Sequence, residues 1–391
     1  MPDSSDRPAP TSAPPDSAEM ARRLEGVRER MAAEQLDAYV SHCPDNIFYL
    51  TNFANYIHER PFVLVITMEG PLQFIVPQLE EEHVRIRSVG AIDTRHYFEF
   101  PAPAGEGWAV ELRDALRTAK RVGVESTCPL QVHEEIPGAR IRSDVIDEDR
   151  FVKTPYEIGR IAHASQIISD GHAELLAGSR ADEMIIGLFG SVSRSMTGRM
   201  LRDMPNANML ASSLTAAIQP PSLSHDPHNF TDIHAKLEEG GPHVTVVNCR
   251  VNGYGAEVER TFFINSVPDE ARRRFDVMLE ARRIAFELLR PGALMSEIDQ
   301  ATRDCFEKNG YLENLLHRTG HSFGVTGHEA PFLAIGYDRV VEEGMLFSIE
   351  PGIYFEGIGG FRFSDTVLVT ESGNVSLTSA PETLEELTLS R

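Results

Sequence analysis

The dipeptide Asn252-Gly253, set between two runs of strand-forming residues, constrains this chain more than any other feature. A two-residue hairpin of type I′ needs positive φ at both central positions, and Asn-Gly supplies them at low steric cost. Once the turn is placed, the pairing follows by counting. Val251 faces Tyr254, Arg250 faces Gly255, Cys249 faces Ala256 and Asn248 faces Glu257. Val246 then faces Glu259. Side chains alternate along a strand, so Asn248, Glu257 and Glu259 share one face while Cys249 points to the other. Two carboxylates on one strand face mark either a solvated ribbon or a site. This segment alone leaves both readings open.

The rest of the chain supplies the frame. Residues 1–17 are rich in Pro, Ser, Asp and Ala and are expected to form a disordered tail. Residues 18–150 alternate helical stretches with strand-like runs near 36–40, 62–68, 72–76, 121–125 and 141–145, the pattern of an α/β domain. At Lys153-Thr154-Pro155 a second domain begins, 151–391. Thr154 is a good N-cap, and proline fits the first helical position. Further helices are expected near 182–199 and 268–290, and from an N-cap at Ser296 to a stop at Gly310. Strands are expected near 244–251, 254–264, 345–349 and 361–370. That order implies an α+β fold.

Composition excludes some partners. The net charge of −22 repels phosphate backbones, so no nucleic acid is expected. No run approaches the roughly 18 apolar residues of a membrane span. The four cysteines share no short spacing, which reads as reduced thiols. No basic-then-apolar leader is evident, and a cytoplasmic protein is expected.

Four segments beyond the hairpin carry chemistry-bearing side chains beside Gly or Pro. His225 and His228 lie in 224–229, His321 and His328 in 320–331, Glu350 before Pro351-Gly352, and Arg362, Ser364 and Asp365 after Gly359-Gly360. His and Glu gathered at strand ends mark a site more often than a single histidine does. Arg362 is expected to pair with a buried carboxylate, Glu350 or Glu257.

In this order the segments resemble the creatinase/prolidase superfamily, the M24 peptidase type. The resemblance rests on Lys153-Thr154-Pro155 with Glu157, Gly320-His321 and Glu350-Pro351-Gly352, and it covers nearly the whole chain. It implies a pita-bread C-terminal domain, a smaller N-terminal α/β domain of RNase-H-like fold, and a homodimer. Metal-dependent members hold two divalent ions on two Asp, one His and two Glu. Those positions fall on Asn248, Glu257, His321, Glu350 and Ser364. Two have lost their charge, and charge count sets affinity for hard cations.

Asn248-Cys249 and Glu259-Arg260-Thr261 are similar to metal-free creatinases, and Gly320-His321-Ser322-Phe323-Gly324 with His328 is shared with them. The creatinase tyrosine falls on Gly255, and its arginine after the second histidine falls near Phe332. The first expectation is therefore a metal-independent hydrolase of a C–N bond in a small amide- or amidino-bearing substrate, with no cofactor. The resemblance makes His225 the general base and acid, with Glu259, Glu350, His321 and His328 also catalytic. His228, Glu257 and Tyr254 are assigned to the substrate, together with Arg60 reaching in from the neighbouring subunit. The alternatives are a metal-dependent Xaa-Pro dipeptidase or aminopeptidase, with Mn, Zn or Co held by Glu257, His321 and Glu350, and a non-catalytic binding module. The expected substrate is a small molecule or dipeptide.

Overall fold

The computed structural model describes residues 7–55, 59–229, 232 and 234–391. Two compact units emerge: Ala13–Arg150, and residues 7–12 together with Phe151–Arg391.

The first unit carries a six-stranded mixed sheet: β1 (Ala38–Ser41), β2 (Val63–Thr67), β3 (Leu72–Pro77), β4 (Ile92–Tyr97), β5 (Arg121–Val124) and β6 (Ala139–Arg142), in the order β4-β3-β2-β1-β5-β6. Its helices are α1 (Ser17–Ala33), α2 (Pro44–Thr51), α3 (Glu81–Arg87), α4 (Trp108–Ala115), α5 (Leu130–Glu135) and α6 (Val145–Asp149). Asp16 caps α1, accepting from the Glu19 amide at 2.8 Å. Val40, Val65, Ile75 and Leu112 form part of its core.

In the second unit, α7 (Pro155–Gly178) starts as the sequence implies. Thr154 and Glu157 close a reciprocal capping box around its first turn. The remaining helices are α8 (Ile185–Asp203), α9 (Pro221–Ser224), α10 (Asp269–Leu288) and α11 (Met295–Lys308). Ser296 is not the cap of α11. Leu294 holds that position, and the Ser296 hydroxyl donates instead to Asp338 at 2.5 Å. The strands are β7 (Ser213–Gln219), β8 (Gly240–Val251), β9 (Tyr254–Glu259), β10 (Thr261–Ile264), β11 (Gly320–Ser322), β12 (Glu329–Leu333), β13 (Leu346–Ile349), β14 (Gly352–Phe355), β15 (Gly359–Arg362), β16 (Ser364–Thr370), β17 (Gly373–Ser376) and β18 (Thr388–Leu389). A ten-stranded sheet runs β12-β11-β13-β16-β9-β8-β10-β18, with β7 added to β8 and β17 to β16.

The counted hairpin register holds from Val251↔Tyr254 through Asn248↔Glu257. Asn252 and Gly253 both take positive φ, 43° and 97°. The expected strand 254–264 is two strands interrupted at Arg260. There the guanidinium turns inward to Asp365, and its backbone amide meets the Thr245 hydroxyl.

The tail differs from expectation over its described part; residues 1–6 lie outside the described residues. Arg7 donates to the Thr378 carbonyl at 3.0 Å, and the Thr11 amide to the Gly159 carbonyl at 2.9 Å. Gly159 permits that approach, since a Cβ there would stand 2.9 Å from Thr11 Cγ2. Among the described residues no helix is long and apolar enough to cross a membrane.

Candidate active site and its acidic cluster

Register across the large sheet gathers the site. β9 presents Glu257 and Glu259 on one face, and β16 places Ser364 opposite Glu259. β13 runs beside β16 and ends at Ile349, immediately before Glu350, and β11 adds His321. Oxygens of Glu257, Glu259 and Glu350 lie within 4.8 Å of one another, as do ligand atoms of Glu257, His321 and His328.

Each of these groups is held in place. Thr366 grips the Glu257 backbone through two bonds of 2.9 Å. The Ser364 hydroxyl donates to Glu257 Oε1 at 2.7 Å and lies 2.9 Å from the Ser348 hydroxyl. Arg362 donates to Glu259 Oε1 at 2.9 Å and to the Tyr354 hydroxyl at 3.0 Å. The Tyr354 hydroxyl in turn meets His317 Nε2 at 2.7 Å. So the buried partner of Arg362 is Glu259, not Glu350 or Glu257. The β9–β16 register brings these two together across 103 residues of chain.

His321 carries the decisive geometry. Its Nδ1 sits 3.0 Å from the Ser322 carbonyl oxygen, which can only accept, so Nδ1 bears the hydrogen. Nε2 then holds a lone pair. It is buried, has no hydrogen-bond partner, and faces Glu350 Oε1 at 3.3 Å. A lone pair opposite a carboxylate is stable only with a cation between them, either a proton or a metal ion.

The electrostatics agree. Burial pushes the Glu350 carboxyl up to about 8, with the Glu257 charge adding to it. Burial also holds Glu259 well above its ordinary range, against Arg362. Burial lowers His321. His328 stacks on the His321 ring at 3.7 Å, and burial with the His321 charge brings it down to about 4. His328 is itself exposed, at the mouth of the site.

Tyr254, His225 and His228 are outside these two groups of donors. Tyr254 is on the opposite strand face, and its ring packs against Tyr156 and under the Arg160 guanidinium. It cannot reach a substrate held by the glutamates. His225 follows α9, with Nδ1 buried and unpaired, and is outside the group that converges within 4.8 Å. His228 is exposed and close enough to His317 and His328 to influence both electrostatically. Arg60 is engaged within its own unit by Glu99, at 2.6 and 3.0 Å. Glu259, expected to be catalytic, is bound by the Arg362 guanidinium. Tyr354, His317 and Ser348 were not singled out in the sequence. Their roles arise from pairing between distant strands.

Comparison with known proteins fits this geometry. Residues 160–371 match the model of metallopeptidase family M24, and residues 23–152 match the creatinase/prolidase N-terminal domain. The chain belongs to metallopeptidase family M24. The Xaa-Pro dipeptidase of Pyrococcus furiosus is 26% identical over 375 residues, covering 93% of this chain and all of that protein. The putative dipeptidase YkvY of Bacillus subtilis is 26% identical over 350 residues, covering 88% and 93%. The structure of an Xaa-Pro dipeptidase from Bacillus anthracis superposes with a TM-score of 0.79 at 25% identity, covering 93% and 99%. This M24 chain is therefore an α+β hydrolase with the pita-bread architecture.

Family membership overturns one expectation. A site working with no cofactor does not agree with a metallopeptidase family whose relatives are named Xaa-Pro dipeptidases. The donors present here fit a metal ion. Glu257 groups with His321 and His328 on one hand and with Glu350 on the other, and His321 Nε2 lies 3.3 Å from Glu350, so carboxylate oxygens and an imidazole nitrogen of the kinds suited to Zn, Mn or Co lie close together. They suit one ion better than a bridged pair, because Asn248 and Ser364 bring no charge and Glu259 is committed to Arg362.

Proposed function

We propose that this protein is a metal-dependent dipeptidase of the Xaa-Pro type, acting where Glu257, His321 and Glu350 converge. The observation that carries the reading is the buried, unpaired Nε2 of His321 facing Glu350, with Glu257 beside both. A divalent ion held by these three would polarise a scissile carbonyl and activate water at neutral pH.

The chain's own residues account for the rest. Ser364 and Thr366 fix Glu257 in orientation. Arg362, backed by Tyr354 and His317, balances Glu259 and keeps the acidic floor from carrying three uncompensated charges. His328 stands at the mouth, neutral at pH 7, and can donate a hydrogen bond to a substrate carbonyl or carboxylate. The Gly255 amide donates to the Gly324 carbonyl at 2.9 Å, and Lys153 binds Glu329 at 3.1 Å and Ser322 at 2.8 Å. These bonds pin both ends of the loop that carries His328. His225 and His228 are assigned to the rim, where a substrate would enter. A homodimer in which Arg60 serves the neighbouring subunit belongs to the same reading, as does a reducing, cytoplasmic setting for four free thiols.

The test is hydrolysis of Xaa-Pro dipeptides with Mn²⁺, Co²⁺ or Zn²⁺ added back after chelation. Turnover that returns with metal supports the reading. Dipeptides left intact under every metal would overturn it.

A further inference from the structure

Alternation along β16 turns Asp365 away from Ser364 and Thr366 and toward α10, where Arg282 binds it at 2.7 and 3.0 Å. Beside Arg282, between the end of α10 and the β16–β17 hairpin, lies a cavity of about 480 Å³, a volume usual for small-molecule sites. Its wall combines three kinds of group. Phe286, Leu289 and Val375 are apolar. Arg282 and Arg290 supply donors. Arg282 commits Nε and Nη2 to Asp365 and Glu382, and its Nη1 has no hydrogen-bond partner among the described residues, in a side chain only 6% exposed. Arg290 is exposed and enters no ion pair among the described residues. Glu287 and Asn374 supply acceptors. Asn374 Nδ2 donates to the Phe286 and Leu289 carbonyls at 2.7 and 2.8 Å. Carbonyls only accept, so this fixes the amide and leaves its Oδ1 open.

We infer that this cavity is a regulatory site for a free α-amino acid with an apolar side chain, such as leucine or phenylalanine. The charge balance favours a zwitterion over a simple anion. Arg283, also in the wall, is bound by Glu280 and Glu287, and Asp365 is shared by Arg282 and Arg260. Arg260, Arg282, Arg283 and Arg290 therefore stand against Asp365, Glu382, Glu280 and Glu287, with no net charge but with donors and acceptors kept apart. The ligand carboxylate takes charge-assisted bonds from Arg290 and Arg282 Nη1. Its ammonium donates to Glu287 and Asn374 Oδ1, and its side chain lies against Phe286, Leu289 and Val375. Arg282 also connects the cavity to the acidic cluster. Asp365 sits in β16 between Ser364 and Thr366, the two residues that hold Glu257. Occupancy thus bears on Glu257 through one ion pair and one strand, from a site distinct from the catalytic one. An apolar amino acid is also a product class of a dipeptidase; that consequence rests on the dipeptidase reading, whereas the binding does not.

The experiment measures calorimetric binding of leucine to the full chain. Beside it run leucinamide, which lacks the carboxylate, 4-methylpentanoate, which lacks the ammonium, glycine, which lacks the side chain, and inorganic phosphate. Leucine should bind most tightly. Arg290→Ala, at an exposed position outside α10, should weaken it by at least about tenfold, and Glu287→Gln should weaken it as well. His321→Ala should bind leucine as wild type does. No leucine binding at millimolar concentration overturns the inference, as do phosphate bound as tightly as leucine or an Arg290→Ala affinity equal to wild type. Binding lost in His321→Ala places leucine in the acidic cluster and overturns it too. The second readout is turnover of Ala-Pro. Leucine should change kcat at saturating dipeptide, and Arg290→Ala should abolish the change. A kcat unmoved by leucine, or inhibition relieved by saturating dipeptide, overturns the regulatory role. If no dipeptide is cleaved, the dipeptidase reading fails, and the calorimetry alone decides whether the cavity binds an amino acid.

Discussion

Replacing Glu350 by glutamine should make the metal-free protein more stable, not less. Oxygens of Glu257, Glu259 and Glu350 come within 4.8 Å of one another. At an effective dielectric near 20, two unit charges at that distance repel by about 3.5 kcal/mol. One guanidinium, Arg362, is bonded into the group, and it pairs with Glu259. Glu350 responds by holding its proton, with its carboxyl raised from 4.5 to about 8. A carboxyl raised on folding has its full stability below the unfolded value and loses it as pH rises toward the folded value. At pH 7 that loss is about 3 kcal/mol, from 1.36 kcal/mol per pH unit over 2.5 units. Glutamine has no proton to lose, so Glu350→Gln should gain up to about 3 kcal/mol at pH 7 and almost nothing at pH 4.5. For a unit of this size the gain reads as a rise of about 6–12 °C in Tm. A divalent ion at 100 times its Kd should stabilise wild type by about 2.7 kcal/mol and leave the variant unmoved. Thermal melts in EDTA at both pH values, then with Mn²⁺, measure all of this. A variant less stable than wild type in EDTA at pH 7, or one still stabilised by Mn²⁺ to the wild-type extent, would refute the reasoning.

His321→Ala removes the nitrogen donor and should cut metal-restored dipeptidase activity by at least about 100-fold, with Tm in EDTA nearly unchanged; full activity would move the site elsewhere. Asp365 accepts from Arg260 at 2.8 Å and from Arg282 at 2.7 and 3.0 Å. Asp365→Asn strands two buried cations and should cost about 3–5 kcal/mol by urea denaturation. Burial works to raise Asp365, yet the two arginines hold it below its ordinary value. Its contribution is therefore present above pH 4 and lost as pH falls further, so a wild-type protein equally stable at pH 2.5 and 5 would contradict the pairing. Gly255→Ala would set a Cβ 2.9 Å from the Thr326 carbonyl, shifting the loop that bears His328. KM should rise severalfold with a smaller change in kcat, and unaltered kinetics would show that the loop does not position substrate.

How much of this was legible in the sequence depended on distance along the chain. The hairpin was, because Asn252-Gly253 dictates its own turn and period two does the rest. The same periodicity puts Tyr254 on the face opposite the glutamates, which the assignment of Tyr254 to the substrate did not take into account. The α7 start was legible because Thr154, Pro155 and Glu157 act within one turn. The Glu259–Arg362 pair was not, since it depends on the β9–β16 register between segments about 100 residues apart. Nor was the aim of His321 Nε2, which depends on a backbone carbonyl choosing the tautomer. Lost charge at Asn248 and Ser364 argues, in the sequence alone, for loss of the metal. In the fold, Ser364 instead orients Glu257, which still groups with His321 and His328 and, separately, with Glu350.

Metal stoichiometry tests the central claim most directly. The protein would be loaded with Mn²⁺, Zn²⁺ or Co²⁺, freed of excess by gel filtration, and assayed for metal per chain alongside His321→Ala and Glu350→Gln. The account predicts about one ion per wild-type chain and a marked loss in both variants. Wild type that retains no metal, or variants that retain as much as wild type, would contradict it.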